Sequence, residues 1–188
     1  MKVLTILGSP KKNGNSSKAL DMFEKNMILQ GNEVERRNIV DFKINGCVGC
    51  NACFTEKDKP NCVQVDDAVH IFDQIMSSDI IIYASPLYAF SFPAQIKTFI
   101  DRHYCFVTNP GLPSQSSVIK DKRVALLITC CDELENNADL IQIMFDRIFK
   151  RLECNVIGKY VITSSEALDF IDRAKEITNT MANDITNV

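Results

Sequence analysis

The sequence predicts an α/β domain built on a five-stranded parallel sheet with helices on both faces. Short apolar runs alternate with helix-period patterns along all 188 residues, which is typical of repeated βαβ units. A hydrophobic content of 46% is enough to form a sizeable core. We find no internal repeat and no low-complexity tract. We therefore expect one domain over residues 1–188.

We place the strands, in chain order, at residues 2–7, 33–40, 79–84, 122–129 and 154–163. The first, third and fourth are nearly all apolar, as expected for strands that are covered on both faces. The second contains Glu35, Arg36 and Arg37, which favours a sheet edge. The strand order 2-1-3-4-5 satisfies this pattern. Right-handed crossovers then predict a ligand crevice between the loops that leave the first and third strands, at residues 8–15 and 85–92.

The helices are predicted at residues 16–30, 67–77, 94–106, 135–152 and 166–183. Leu20, Phe23 and Met27 lie on one face of the first helix. The fourth helix carries a similar stripe at Ile141, Phe145, Ile148 and Leu152. We expect both stripes to pack against the sheet.

Two long segments interrupt this alternation. Residues 41–66 form a loop rich in cysteine, and residues 107–121 form a loop rich in proline, glycine and serine. Loops of this length in a compact domain are usually functional or mobile.

Composition excludes several classes of partner and suggests a compartment. A net charge of −3 gives no basic field, so we expect no nucleic acid partner. No apolar run approaches bilayer length, and residues 1–7 are too short for the core of a signal peptide. We therefore expect no membrane partner and a cytoplasmic location. Eight cysteines in that compartment indicate metal binding or redox chemistry rather than disulfides.

The loop after the first strand has the composition of a phosphate-binding loop. It contains Gly8 and Gly14 and a set of hydroxyl and amide side chains: Ser9, Asn13, Asn15, Ser16 and Ser17. Such a loop before a helix offers backbone N–H groups and hydroxyls to a phosphate. It matches neither the Walker motif nor the dinucleotide fingerprint. The alternative is an ordinary turn in which Asn15 or Ser16 caps the helix.

The loop after the third strand carries three aromatic residues at the predicted crevice. Tyr88, Phe90 and Phe92 follow an apolar strand, and a flat ring system could stack there. The alternative is that these side chains only pack beneath the next helix.

Four cysteines in residues 41–66 predict a metal or redox site. Cys47, Cys50 and Cys53 have the spacing C-x-x-C-x-x-C, and Cys62 follows after eight intervening residues. This spacing lets thiolates converge on one cluster. A [4Fe-4S] cluster, a zinc ion with four cysteine ligands and free thiols all stay open.

The remaining cysteines and the histidines give weaker signals. Cys105 and Cys154 lie in apolar patterns and are expected in the core. His70 and His103 lack partners at metal-ligand spacing, and we interpret both as structural.

Three stretches occur in a fixed order and together resemble one family. They are ILGSPKKNGNS at residues 6–16, CVGCNAC at 47–53 and SPLY at 85–88, followed by residues 97–102. The chain resembles the NADPH-dependent FMN reductase family over residues 1–163 and, within it, the iron-sulfur flavoproteins. The resemblance implies a flavodoxin-like fold, noncovalently bound FMN and a homodimer or homotetramer.

The resemblance also implies the residues that bind FMN. It assigns the phosphate to Ser9, Lys11, Asn13, Asn15, Ser16 and Ser17. It assigns the isoalloxazine ring to Pro86, Leu87, Tyr88, Ala89 and Phe90. A third cofactor loop is implied at Thr129, Cys130 and Cys131. Relatives commonly have arginine in place of Lys11, and lysine supplies the charge without the planar fork.

The function that the resemblance implies is that of an FMN-dependent oxidoreductase. NAD(P)H or ferredoxin would supply electrons, which would pass through FMN to a small acceptor. No catalytic side chain is assigned, because the flavin performs the chemistry. The alternatives are an iron-sulfur flavoprotein that exchanges electrons with ferredoxin through a [4Fe-4S] cluster, a noncatalytic electron carrier of the flavodoxin type, and a zinc-stabilised module without flavin.

Overall fold

The five long strands form one parallel sheet in the computed structural model, which describes residues 1–55 and 58–187. The strands are β1 (Lys2–Leu7), β2 (Glu33–Asn38), β3 (Ile80–Pro86), β4 (Val107–Thr108), β5 (Ser116–Ser117), β6 (Arg123–Thr129) and β7 (Asn155–Ile162). The sheet order is β2-β1-β3-β6-β7, while β4 and β5 pair only with each other. The predicted order is thus confirmed, with the charged strand β2 at an edge.

Five α-helices cover the two faces of the sheet. They are α1 (Asn15–Leu29), α2 (Ala68–Ser77), α3 (Ala94–Asp101), α4 (Asp139–Arg151) and α5 (Phe170–Thr186). Apolar side chains of α1 and α5 pack on one face, and those of α2, α3 and α4 pack on the other. None of the helices in the described part of the chain is both long and apolar enough to cross a membrane.

The central strands supply apolar side chains to both layers. Along β1, Leu4 and Ile6 join the core beneath α2 to α4, while Val3 and Leu7 join the core beneath α1 and α5. Alternate side chains of a strand point to opposite faces, so a strand buried on both faces is mostly apolar. The continuous apolar runs in the sequence have this cause. The buried polar side chain of β1, that of Thr5, donates a hydrogen bond to Glu24.

The apolar stripes predicted on the first and fourth helices are buried, except that one position on α4 differs from the prediction. Leu20, Phe23 and Met27 are fully buried, as expected. On α4, Phe149 is fully buried, whereas Ile148 is only partly buried. The larger aromatic side chain therefore takes the position nearest the sheet.

Several predicted helix and strand ends were wrong by a few residues. The predicted helix 94–106 is α-helical only to Asp101 and continues as a 3-10 helix over Arg102–Phe106. The fourth helix begins at Asp139 rather than 135, because Asn136 has a φ of 57° and interrupts the helical turn. The second strand ends at Asn38 and is followed by a 3-10 turn over Ile39–Asp41.

The segment at residues 107–121 was predicted to be a loop, but part of it forms regular secondary structure. It contains β4 and β5, which pair in antiparallel register through Val107 with Ser117 and Thr108 with Ser116. These strands were too short to be recognised by alternation.

Gly8 places the loop after β1 against α3. Its N–H donates to the carbonyl of Ala84 at 2.8 Å, which extends the contact between β1 and β3. A Cβ atom at Gly8 would lie 2.6 Å from side-chain atoms of Ile96. Glycine is therefore required here by close packing of the loop against the buried side chain of Ile96 on α3.

Candidate functional site

The carboxyl ends of β1, β3, β6 and β7 surround a cleft of about 160 Å³. Its lining comes from four loops: Ser9, Lys11, Gly14, Asn15 and Ser16; Pro86, Leu87 and Tyr88; Thr129, Cys130 and Cys131; and Ser165 and Glu166. Parallel strands carry their carboxyl ends to one edge, so four separate stretches of sequence meet here.

The first loop turns tightly and leaves the start of α1 without a side-chain cap. Ser9 Oγ donates to the carbonyl of Lys11 at 3.0 Å and accepts its N–H at 3.1 Å. The Gly14 N–H donates to the same carbonyl at 3.2 Å. Gly14 is the N-cap, so Asn15 and Ser16 do not cap this helix. The amide groups of the first turn are thus not occupied by a capping side chain.

Asn15 and Ser16 link the first loop to two others. Ser16 Oγ and Thr129 Oγ1 are 2.6 Å apart, and this pair is buried. Asn15 Nδ2 donates to the carbonyl of Ser165 at 2.6 Å. These two bonds join the carboxyl ends of β1, β6 and β7 across the floor of the cleft.

Two residues of the predicted phosphate set lie outside the lining. Asn13 is exposed at the turn. Ser17 is buried, and its hydroxyl accepts a hydrogen bond from Arg36 Nη1 at 3.4 Å, on the side of β2. The helical rotation of about 100° per residue separates it from Ser16.

The second loop ends in a tight turn that exposes two aromatic side chains. Tyr88 and Ser91 exchange backbone hydrogen bonds of 3.0 and 2.9 Å. Between them, Ala89 and Phe90 have φ values of 46° and 62°, a conformation that non-glycine residues adopt at some cost. Tyr88 is 44% exposed beside the cleft and Phe90 is 55% exposed.

Phe92 has a different environment from the other two aromatic residues of this loop. Its side chain is buried and packs in the core beneath α3. Ala89, Phe90 and Phe92 do not belong to the cleft lining, whereas Pro86, Leu87 and Tyr88 do.

The two cysteines of the third loop differ in exposure. Burial, followed by the nearby acidic groups, raises the pKa of Cys130 to about 11, so its thiol is protonated at neutral pH. This thiol donates to the carbonyl of Asp132 at 3.2 Å. Cys131 is exposed, and its Sγ lies 3.7 Å from Ser165 Oγ. Both cysteines are free thiols.

The loop after β7 supplies two lining residues that sequence reasoning missed. The fifth helix was predicted to begin at 166, but α5 begins at Phe170. The preceding residues instead form a loop, and Arg173 fixes it by donating to the carbonyls of Thr163 and Ser164 at 2.6 and 2.9 Å. The signal available in the sequence was the position of this loop after a parallel strand.

A second cavity, of about 360 Å³, contains the four cysteines of residues 41–66. Cys47 and Cys50 are exposed, while Cys53 and Cys62 are partly buried. Burial and the neighbouring thiols of Cys62, Cys50 and Cys47 raise the pKa of Cys53. Cys105, expected in the core, is buried and also lines this cavity.

The thiols surround the cavity rather than converge on one point. Within residues 1–55 and 58–187, no three side chains of His, Cys, Asp or Glu are grouped closely enough to hold a metal ion. Glu56 and Lys57, which lie in the gap between Cys53 and Cys62, are outside the described residues.

Arg102 is a buried cation in the wall of the cysteine cavity. Its side chain is fully buried, and Nη1 donates to both carboxylate oxygens of Asp66 at 2.7 and 2.6 Å. Nη2 donates to Cys62 Sγ and to the carbonyl of Gln64, each at 3.4 Å. Nε has no hydrogen-bond partner among the described residues. The guanidinium thus contacts one of the four thiols through Nη2 and has one further donor without an acceptor in the described residues.

Asp66 closes the base of the cysteine loop. It accepts the N–H groups of Asn45 and Ala68 at 2.8 and 3.1 Å in addition to the Arg102 bonds. Burial raises the pKa of Asp66, but these hydrogen bonds and the charge of Arg102 outweigh it and hold the pKa below its usual value. The two ends of the loop are thereby tied to each other and to the segment after α3.

The histidines have the structural environments expected of them. His70 is exposed on α2. His103 is buried, with Nε2 2.7 Å from the Tyr83 hydroxyl and Nδ1 3.1 Å from the carbonyl of Phe99. Burial lowers the pKa of His103 to about 3, so the ring is neutral.

Comparison with known proteins gives a family and a fold. The family model described as NADPH-dependent FMN reductase matches residues 1–168. An iron-sulfur flavoprotein of Archaeoglobus fulgidus is 45% identical over 112 residues, which cover 60% of this chain and 50% of that protein. The chain therefore spans about half the length of the curated relatives it matches.

Two solved structures have the same fold at low identity. An FMN-dependent NADH-azoreductase from Bacillus anthracis, in complex with FMN, superposes with a TM-score of 0.76 at 14% identity, covering 98% of each chain. An NAD(P)H:quinone oxidoreductase from Methanothermobacter marburgensis has a TM-score of 0.75 at 14% identity, covering 96% of this chain and 98% of that one. At this identity the likeness shows a flavodoxin-like fold.

We predict that Asp66→Asn lowers the free energy of unfolding by about 3–5 kcal/mol at neutral pH, because it leaves the buried Arg102 without its counter-charge. The wild-type carboxylate contributes this stability above its unfolded-state pKa and loses it as the pH falls through its lowered folded-state pKa. The difference between the two proteins should therefore narrow in acid. Urea unfolding at neutral and acidic pH measures it.

The control for that measurement is Asp146→Asn. Asp146 pairs with Lys159 and its side chain is 46% exposed, so its removal should cost less than about 1 kcal/mol. Equal losses in the two variants would contradict a buried ion pair at Asp66.

Proposed function

The chain belongs to the NADPH-dependent FMN reductase family, and on that premise we propose that it is an FMN-dependent oxidoreductase. FMN binds in the cleft at the carboxyl ends of β1, β3, β6 and β7, and electrons pass through it to a small acceptor. The observation that carries this proposal is the convergence of an uncapped helix start, Lys11 and a partly exposed aromatic residue on one cleft.

The phosphate of FMN is assigned to the first loop. Lys11 supplies a positive charge, and the first turn of α1 supplies N–H groups at the positive end of the helix dipole. Ser9 and Ser16 line the same end of the cleft and offer hydroxyls. Asn13 and Ser17 stay in the proposed set only through the resemblance, because neither lines the cleft.

The isoalloxazine ring is assigned to the loop after β3. Pro86, Leu87 and Tyr88 line the cleft, and Tyr88 presents an aromatic face there. The N–H groups of Leu87 and Tyr88 already donate to the carbonyls of Thr129 and Ser91, so these bonds hold the loop in place. The cleft is smaller than the ~300–1,000 Å³ of typical ligand pockets, so the flat ring requires its open side, where Tyr88 is exposed. Ala89 and Phe90 form the turn that holds Tyr88 there.

When bound, FMN supplies the hydride and electron transfer, so the protein need supply only binding, orientation and shielding. A nicotinamide donor would stack on the exposed side of the ring, and a small acceptor would use the same side in turn. The family description supports NADPH as a donor class.

A second proposed feature is a [4Fe-4S] cluster at Cys47, Cys50, Cys53 and Cys62. All four line one cavity, and the buried Arg102 beside them has an N–H without an acceptor in the described residues. Four cysteines and a cationic donor that line one cavity have the chemistry to hold an anionic, sulfur-rich group. Zinc is less favoured, because the described thiols are not grouped closely enough to hold a single metal ion. The name of the Archaeoglobus relative supports this choice.

The cluster version of the function includes ferredoxin as an electron donor and a homodimer or homotetramer as the assembly. A cytoplasmic location completes the proposal, because a reducing compartment keeps thiols available to a metal. All eight cysteines are free, which agrees with this compartment.

Replacing Lys11 with glutamine should weaken FMN binding about tenfold, a loss of ~1.4 kcal/mol, because the phosphate loses its cationic partner. Lys12→Gln is a matched control, since Lys12 is a neighbouring exposed lysine that pairs with Asp41 outside the cleft. Ser16→Glu should abolish binding through charge repulsion. Quenching of flavin fluorescence gives the dissociation constants. An equal effect of the Lys11 and Lys12 changes would contradict the phosphate assignment.

Mixing the flavin-loaded protein with NADPH or NADH in a stopped-flow instrument should bleach the visible absorbance of the flavin. A noncatalytic carrier of the flavodoxin type would leave the flavin oxidised, because it has no site for the nicotinamide. Persistent oxidised flavin with both nucleotides, followed by rapid reduction by reduced ferredoxin only when the chain is loaded with iron and sulfide, would instead favour the iron-sulfur alternative.

A further inference from the structure

We infer that Arg102 is a positioning residue of the cysteine site: its guanidinium hydrogen-bonds the group that the four cysteines hold and raises the reduction potential of that group. This inference rests on the proposed [4Fe-4S] cluster. It concerns a residue outside the cysteine motif, on the segment that follows α3.

The burial of Arg102 requires an explanation beyond loop anchoring. A fully buried cation is costly unless every charge and donor around it is matched. One carboxylate, that of Asp66, neutralises the formal charge. An apolar side chain of similar volume would avoid this cost. With the charge balanced by Asp66, what is left unmatched at Arg102 is a buried donor, Nε, which requires an acceptor.

The donor count leaves the guanidinium incompletely satisfied. A guanidinium has five N–H donors in a fixed fork. Nη1 is used by Asp66 and by the carbonyl of Asn45 at 3.3 Å, and Nη2 is used by Cys62 and Gln64. Nε has no acceptor within the described residues, although it is buried. A buried donor without an acceptor is costly, and a sulfur acceptor in the adjacent cavity would satisfy it.

The effect of the Arg102 donors on the reduction potential depends on where these donors lie. Nη2 already contacts the sulfur of Cys62, one of the four proposed ligands, at 3.4 Å. Hydrogen bonds to cluster sulfurs and nearby positive charge both favour the reduced form, which carries one more negative charge. Arg102 should therefore raise the reduction potential, while Asp66 should partly oppose it.

The opposite effects of Arg102 and Asp66 on the reduction potential distinguish an electrostatic role of Arg102 from a structural role. If Arg102 and Asp66 served only to hold the loop, loss of either would disturb the site in the same direction. If the charge of Arg102 acts on the cluster, Arg102→Gln and Asp66→Asn should shift the potential in opposite directions. Arg102→Lys, which keeps the charge but not the fork, should fall between wild type and Arg102→Gln.

The experiment is anaerobic reconstitution of the full chain with iron and sulfide, followed by iron and sulfide assay and a redox titration monitored by absorbance and electron paramagnetic resonance. Because Arg102→Gln alone leaves a buried carboxylate unpaired, the double variant R102Q/D66N is measured beside it. Arg37→Gln is the matched control, since Arg37 pairs with Glu35 on β2 and with Gln74 on α2 rather than at the cysteine cavity.

We expect the midpoint potential to fall in R102Q relative to the wild type, to rise in D66N, to be lower in R102Q/D66N than in D66N, and to be unchanged in R37Q. Unchanged potentials in loaded Arg102 variants, or shifts of the same sign in R102Q and D66N, would overturn the inference while leaving the cluster in place. If the wild-type chain takes up no iron and sulfide, the cluster proposal and this inference both fail, and the FMN proposal is unaffected.

Discussion

The parallel direction of all five long strands is the constraint on which the rest of the structure depends. Every strand runs the same way, so each carboxyl end reaches the same edge and each connection must cross back over a face. The crossings bury α1 and α5 on one face and the other three helices on the opposite face. The cleft is a direct consequence, because four loops have no other place to meet.

The parallel sheet also explains why few hydrogen bonds are needed between the loops that line the cleft. Ser16 pairs with Thr129 and Asn15 pairs with Ser165, although these partners are far apart in sequence. Gly8 lets the first loop approach α3. The sheet brings the loops together, and these contacts only adjust their spacing.

The cysteine loop is attached to this framework by a separate interaction. Residues 43–46 and 64–67 approach each other through Asp66, Asp67 and their neighbours, and Arg102 connects this base to the end of α3. A loop with little regular structure of its own thus acquires a defined base beside a buried cation. The ion pair fixes the base of the loop and places Arg102 in contact with one of the four thiols, that of Cys62.

Much of the fold could be predicted because its causes are local. Apolar runs identify strands buried on both faces, and the charges of Glu35, Arg36 and Arg37 identify the edge strand. The first two loops of the cleft follow from the predicted strand order. Membership of the NADPH-dependent FMN reductase family confirms the resemblance seen in the ordered stretches.

The missed features depend on contacts between distant residues. The buried pairing of Arg102 with Asp66 spans 36 residues and leaves no local pattern. Ser165 and Glu166 were interpreted as the approach to a helix and its first residue, because nothing nearby signals that the helix begins at Phe170. The different surroundings of Ser16 and Ser17 depend on helix rotation at a boundary that sequence predicts only approximately.

The central claim is that one edge of a parallel sheet binds FMN while the attached cysteine loop binds iron and sulfide. The most direct measurement is the amount of FMN, iron and sulfide per chain after anaerobic purification and reconstitution, with absorption spectra of the product. We predict one FMN per chain together with iron and sulfide in equal amounts. A protein that retains no FMN would contradict the proposed FMN site, and a protein that retains flavin but no iron would contradict the proposed cluster.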